Sequence, residues 1–151
     1  MYAWYFPKGF SWIGLPNKRH DWQSVVVWIG NPALESPKII GVSTSKSDTN
    51  YNKHIKMRPN NFAGYRSKTS RSGRTYRRET LAYGSNTTLR FNHDNNIYFS
   101  SWDGEFPDLI MWDQLTDAAR GTLNDNKNFG DVEVPFNDEH FQDHLEKAWP
   151  I

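Results

Sequence analysis

Residues 17–31 read NKRHDWQSVVVWIGN, and the fold turns on this stretch because it joins a cluster of ionisable side chains to the strongest strand signal in the chain. Val25, Val26, Val27, Trp28 and Ile29 are consecutive β-branched or aromatic apolar residues, the pattern of a strand buried on both faces. Asn31-Pro32 ends it. Immediately ahead of the strand stand Arg19, His20, Asp21, Trp22 and Gln23. The mouth of a rigid sheet therefore carries a carboxylate, an imidazole and a carboxamide, and sites are usually built in such places.

Working outward, Tyr2–Phe6 (YAWYF) reads as an aromatic strand closed by Pro7, Lys8 and Gly9, and Gly9–Pro16 as a loop. Lys38–Val42 (KIIGV) reads as a short inner strand, and Thr87–Phe91 (TTLRF) and Ile97–Ser101 (IYFSS) alternate as two more. Helical periodicity is scarce. Over Leu109–Leu123 the residues Ile110, Met111, Leu115, Ala118, Ala119 and Leu123 share one face, which predicts a helix starting after Pro107 and Asp108. A second short helix is predicted over about Asn137–Ala148, capped by Asn137 or Asp138, with Phe141, Leu145 and Ala148 inward and Pro150 ending it.

The 151 residues, 15% of them aromatic, suit one domain over residues 1–151 with a core of its own. An all-β or β-rich α+β fold follows. Cysteine is absent, so there is no disulfide framework or thiolate metal site, and redox compartment stays undecided. No apolar run is long enough to span a bilayer, and no charged-then-apolar leader opens the sequence.

Net charge is +1, but residues 46–90 hold eleven Lys or Arg against Asp48 and Glu79, while residues 91–151 hold three against thirteen acids. The two regions are expected to neutralise each other across the fold. Arg66, Lys68, Arg71, Arg74, Arg77 and Arg78 interleave with Tyr51, Phe62, Tyr65, Tyr76 and Tyr83, which permits a nucleic-acid surface. A solvated loop facing the acidic region is the favoured reading, with no nucleic acid as partner.

On an extended backbone Asp21 and Gln23 point to one side, and His20 and Trp22 to the other. Asp21 and Gln23 form an oxygen-rich pair suited to a hard cation such as magnesium or calcium, though short of ligands on its own. The alternative is that Asp21 pairs with Arg19, Lys18 or a loop donor and His20 is a structural imidazole. Glu105 and Asp108 either complete a site or cap the helix. The chain has no G-x-S-x-G elbow, phosphate loop or H-E-x-x-H, so an enzyme is not indicated.

MYAWYFPK, then Gly14-Leu15, then RHDW at Arg19–Trp22 followed by SVVVWIGNP, resembles the necrosis-inducing, ethylene-inducing peptide-like proteins of oomycetes, fungi and bacteria. DLIMWDQLTDAAR from Asp108, NFG at Asn128–Gly130 and the closing F-x-x-x-L-x-K-A-W-P are similar to that family's C-terminal half. The resemblance implies a central antiparallel β-sandwich with surrounding helices, secretion into the plant apoplast, and binding of glycosylated plant plasma-membrane sphingolipids through a divalent-cation pocket. It also implies that Met1, Tyr2, Ala3, Trp4, Tyr5, Phe6, Pro7 and Lys8, together with the heptapeptide, form a segment read by plant pattern-recognition receptors.

The family heptapeptide Gly-His-Arg-His-Asp-Trp-Glu falls on Asn17, Lys18, Arg19, His20, Asp21, Trp22 and Gln23. Asp21 is kept, Gln23 is a neutral carboxamide, Lys18 stands in place of a histidine, and Gly9 stands where the family has an Asp after Phe-Pro-Lys. Asp21 and Gln23 thus remain as a degenerate cation site, and a weakly cytolytic or non-cytolytic effector that keeps its immune-recognised segment is the expectation. An active cation-dependent cytolysin is the alternative. The Trp-bearing lipid-facing loop of the family is not reproduced around His93–Asn96, which leaves Trp12 and Trp102 as substitutes. The family's signal peptide and cysteine pair do not precede Met1 in this sequence, so the first strand is expected to present an open edge.

Overall fold

The computed structural model describes residues 1–10, 15–35, 37–47, 49–64, 68–69, 75–76, 88–94 and 96–151. Its centre is an antiparallel sheet in the order β1(Tyr2–Phe6)-β4(Asp21–Ile29)-β5(Ile39–Ser47)-β6(Asn50–His54). The turn between β1 and β4 carries a small ladder of β2(Gly9–Phe10) with β3(Pro16–Lys18). A further pair, β7(Lys68–Thr69) with β8(Thr75–Tyr76), follows, and β9(Phe91–His93) with β10(Ile97–Phe99) makes a hairpin. The helices are α1(Asp117–Asn124) and α2(Phe141–Ala148). This is the β-rich α+β architecture that the sequence predicts, and no helix among the described residues is long and apolar enough to cross a membrane.

Side-chain alternation along β4 divides the core between two faces. Val25 packs with Val42 and Ile97 beneath the β9–β10 hairpin, and Trp4, Val27, Leu89, Phe91 and Phe99 close around them. On the opposite face Trp22 meets Phe129 and Phe136, and Trp28 meets Trp149, all edge to face. The hairpin is thus one layer on the sheet, and the C-terminal third is the other.

β1 matches its predicted bounds, while several other elements shift. β4 begins at Asp21, its most buried stretch includes Gln23–Val26, and Ile29 is exposed. β5 runs through Ser47 rather than stopping at Val42. Polar residues extend it because their groups are satisfied: Ser43 Oγ donates to the Ala148 carbonyl, and Ser45 Oγ accepts from the Ser24 amide at 2.9 Å. The strand predicted over Thr87–Phe91 is represented by an isolated bridge from Leu89 to Phe62 and by β9; Thr87 lies outside the described residues. The loop predicted over Gly9–Pro16 opens and closes on paired backbone.

The long helix expected from Leu109 is corrected most. Leu109, Ile110 and Met111 belong to no helix or strand and are exposed, Trp112–Gln114 form a 3₁₀ turn, and the helix starts only at Asp117. Leu115 is extended and breaks the run, and Thr116 Oγ1 accepts from the Ala119 amide at 3.2 Å, a stronger start than Pro107-Asp108 provides. Arg120 then locks the bend by donating to the Leu115 carbonyl at 2.7 Å.

The second helix begins at Phe141 rather than near Asn137. Asn137 Oδ1 accepts from the His140 amide at 2.8 Å, so it organises the turn before the helix. Phe141 is exposed, and the inward residues are His144 and Ala148. Charge neutralisation between the basic and acidic regions is visible at Arg90, which is buried and bonds Asp103 at 3.0 Å. Arg66, Arg71, Arg74, Arg77, Arg78, Tyr65 and Tyr83 lie outside the described residues.

Candidate functional site

The mouth of β4 is fixed by pairing on both sides of the turn that leads into it. Phe6 stands opposite Asp21, Trp4 opposite Gln23, and Gly9 opposite Lys18. The heptapeptide divides over this frame: Asn17 and Lys18 end β3, Arg19 and His20 make the bend, and Asp21, Trp22 and Gln23 open β4. Met1 precedes β1, Tyr2, Ala3, Trp4, Tyr5 and Phe6 are β1, and Pro7 and Lys8 make the turn after it. Sequence positions far apart in the resemblance, Gly9 and Lys18, thus become neighbours.

Asp21 and Gln23 lie on one face as expected, both buried. Their contact is a hydrogen bond in which Gln23 Nε2 donates to Asp21 Oδ2 at 3.0 Å. Gln23 Oε1 turns away and accepts from the Ile97 amide at 3.1 Å and from Ser45 Oγ at 3.3 Å. The Ile97 N–H can only donate, which fixes the amide orientation. The second Asp21 oxygen faces Lys18 Nζ at 3.9 Å. Of the two alternatives left open by the sequence, pairing with Lys18 is the one seen at Asp21.

This donor set does not fit a divalent cation. The Gln23 oxygen is committed to the sheet and hairpin, and an ammonium stands beside the carboxylate. Unit charges 4 Å apart interact by about 4 kcal/mol in the effective dielectric near a protein surface, before salt screening, and the repulsion doubles for a divalent ion. Among the described residues no group of three or more His, Asp or Glu side chains is placed to hold a metal. Asp103 is engaged by Arg90 and by the Gly64 amide at 3.1 Å, and Glu105 and Asp108 are exposed on the segment before α1.

The opposite face of the mouth is aromatic. His20 Nδ1 is 2.6 Å from the Tyr5 hydroxyl, and Tyr5 packs on Trp22 and meets Phe129 edge-on. His20 is therefore a positioned imidazole held to β1. Beside the site, Phe6 stacks on His93 with ring centres 3.8 Å apart. The stacking partner, the Ile97 amide and Ser45 escape sequence reasoning because they arrive from other strands. The parity of Gln23 and Val25 is the one signal that places them under a common cover.

Between β1 and the residues leading to α1 lies a cavity of about 510 Å³, walled by Trp4, Phe6, Leu89, Phe91, Ile97 and Phe106. Its outer rim continues into a run of exposed apolar side chains. Trp102 is 83% exposed and Phe106 79%, followed by Leu109, Ile110 and Met111. Trp12, the other indole considered as a lipid contact, lies outside the described residues.

A third cluster ties α2 to the sheet. Tyr51 OH lies 2.8 Å from His144 Nδ1 and 3.1 Å from Ser24 Oγ, and His144 Nε2 stands 3.4 Å from Glu133 Oε2. Burial pushes the His144 pKa down, with Glu133 opposing, and burial pushes the Tyr51 pKa up. Tyr51, a stacking candidate on the nucleic-acid reading, is committed to this structural chain.

Comparison with known proteins agrees with the architecture. Residues 1–148 match the family model described as necrosis inducing protein (NPP1). The chain is 43% identical over 156 residues to NLP effector protein 6 of Plasmopara viticola, covering 99% of this chain and 54% of the relative. It is 40% identical over 176 residues to NLP effector protein Pc109174 of Phytophthora capsici, covering all of this chain and 63% of the relative. The sequence thus spans little more than half the length of these relatives.

Among solved structures it resembles the non-toxic HaNLP3 protein, with TM-score 0.72 at 30% identity, covering 99% of this chain and 60% of that one. It also resembles NLPPya in complex with glucosamine, with TM-score 0.69 at 30% identity, covering 97% and 59%. With the family model matched over residues 1–148 and relatives 43% and 40% identical along nearly all of it, the chain belongs to the necrosis-inducing protein family.

Proposed function

We propose that this protein is a secreted effector that acts outside plant cells, whose β4 mouth addresses the headgroup of a glycosylated plasma-membrane sphingolipid, and that it is weakly cytolytic or non-cytolytic. The observation that carries the reading is the mouth itself. Arg19–Trp22 are held on the β1/β4 frame, while both Asp21 oxygens already face protein donors, Gln23 and Lys18. Similarity to a family structure bound to glucosamine supports a sugar-bearing partner at the host surface.

The exposed Trp102–Met111 segment supplies an apolar face for transient membrane contact. Met1–Lys8, which holds the strand at one end of the sheet among the described residues, serves as the segment read by plant receptors. Dye release from vesicles carrying plant glycosylated sphingolipid tests the lytic part, with no release expected in the presence or absence of chelator. Release that chelator stops and Asp21→Ala abolishes would establish the cytolysin reading instead. A synthetic Met1–Gln23 peptide is expected to raise ethylene in a responsive plant, and silence there removes the immune part.

A further inference from the structure

We propose that α2 is a proton-sensitive latch: His144 in its neutral form pins the helix to the sheet, and proton uptake by this imidazole releases α2 while β4 and β5 stay paired. α2 has eight residues, too few for a helix to persist in water on its own, so it depends on what it docks against. Its buried residues are His144 and Ala148, with Leu145 half-buried and Phe141 exposed. The largest side chain that α2 buries fully is thus a histidine, 2% exposed. A further polar tie, Ser43 Oγ donating to the Ala148 carbonyl, lies at the far end of the helix, which leaves the first turns to His144.

The direction of the hydrogen bonds makes this histidine sensitive to a proton. Ionised Glu133 only accepts, so with Oε2 3.4 Å from Nε2 it favours the tautomer that carries its proton there. Nδ1 is then the acceptor for the Tyr51 hydroxyl at 2.8 Å, and the Tyr51 oxygen accepts from Ser24 Oγ at 3.1 Å. The donors run one way, from β4 through β6 into α2. A second proton on the imidazole sets an N–H on Nδ1 against the Tyr51 O–H. Relief requires either that the tyrosine proton turn onto Ser24 Oγ, reversing the chain, or that α2 move away.

Charge around the ring decides whether the imidazolium is tolerated. Glu133, on the segment before α2, favours it, but that carboxylate is partly exposed and its pull is weakened by water. Against it stand burial of the ring and two basic groups of α2 itself, Lys147 and His140. Burial is the largest influence, and it holds the His144 pKa below the ordinary histidine value. Tyr51, pushed up by its own burial, stays a neutral hydroxyl throughout. The protonated ring is therefore the form that the docked helix resists.

Amide hydrogen exchange of the folded chain, followed residue by residue from neutral to mildly acidic pH and corrected for intrinsic rates, tests the latch. Protection of Leu145 and Ala148 is expected to fall by up to about tenfold per pH unit below about 6.5, because the released helix holds one more proton at His144. Val25 and Val42 in the sheet should keep far more of theirs. In His144→Asn, Oδ1 hangs on the same carbon as Nδ1 and can accept from Tyr51 without titrating, so the ratio of helix to sheet protection should lose its pH dependence. In Glu133→Gln the docked histidine loses its favouring charge, and the fall should continue to lower pH than in the parent.

Protection that stays constant in α2, or that falls equally in α2 and the sheet, overturns the proposal. So does a His144→Asn variant that keeps the parent's pH dependence. Should that variant fail to fold, Glu133→Gln decides: a fall that ends at the same pH as in the parent, or higher, overturns it.

Discussion

The Pro150 ring lies against Gly41: a Cβ placed on Gly41 would stand 2.7 Å from Pro150 Cγ and 3.1 Å from its Cβ. Gly41 sits in β5, and the missing side chain is what lets the end of the chain close on the sheet beside α2. The C-terminal segment thus depends on a single bare position in the middle strand pair.

Gly41→Val is accordingly expected to cost roughly 1–3 kcal/mol by overpacking. For a domain of this size that lowers Tm by about 2–4 °C per kcal/mol. Scanning calorimetry checks it. Trimming the opposing ring in Gly41→Val/Pro150→Gly should recover part of the loss, since contacting residues are not additive. An unchanged Tm in the single variant would mean that the contact is not made in solution.

Replacing Gln23 by Leu removes the acceptor for the buried Ile97 amide and the donor on Asp21 at once. An orphaned buried polar group costs about 1–3 kcal/mol. Urea unfolding should therefore show a lower midpoint, and exchange of the Ile97 amide proton should accelerate. Exchange as slow as in the parent would sink the assignment of that hydrogen bond.

Stability is expected to fall as pH drops below about 6.5, the unperturbed histidine value. Burial lowers the pKa of His144, and likewise that of His54, in the folded chain. Between the folded and unfolded pKa the unfolded state holds the extra proton, so stability is fully present above the unfolded value and is lost as pH falls toward the folded one. Melts from neutral to mildly acidic pH check the sign. His144→Gln should flatten the profile, leaving the part due to His54.

Limited proteolysis by chymotrypsin is expected to cut first within Trp102–Met111. Every residue from Ser101 to Met111 is exposed, and none belongs to a helix or strand. Such backbone is the preferred site of nicking. First cleavage inside β4 or β5 would contradict the layering described above.

The sheet was legible where side chains cluster locally: Tyr2–Phe6 and the run through Ile29 are written in aromatic and β-branched residues. It was less legible along β5, where Ser43, Thr44 and Ser45 are buried yet look like loop residues, because the Ser43 and Ser45 hydroxyls find partners only after α2 and β4 arrive. Leu109–Met111 misled in the other direction. Their apolar spacing matches a helical face, but Thr116 starts the helix later and leaves them in solvent. At the mouth, alternation placed Asp21 beside Gln23, whereas the direction of the Gln23 amide depended on Ile97, distant in sequence.

Among the described residues β1 has β4 as its only partner strand, so it stands at one end of the sheet, with β6 at the other. Such a strand has a ladder on one side alone and relies on its side chains for the rest of its hold. What holds β1 is therefore its single ladder to β4 together with Trp4 in the core beneath the hairpin and Phe6 stacked on His93.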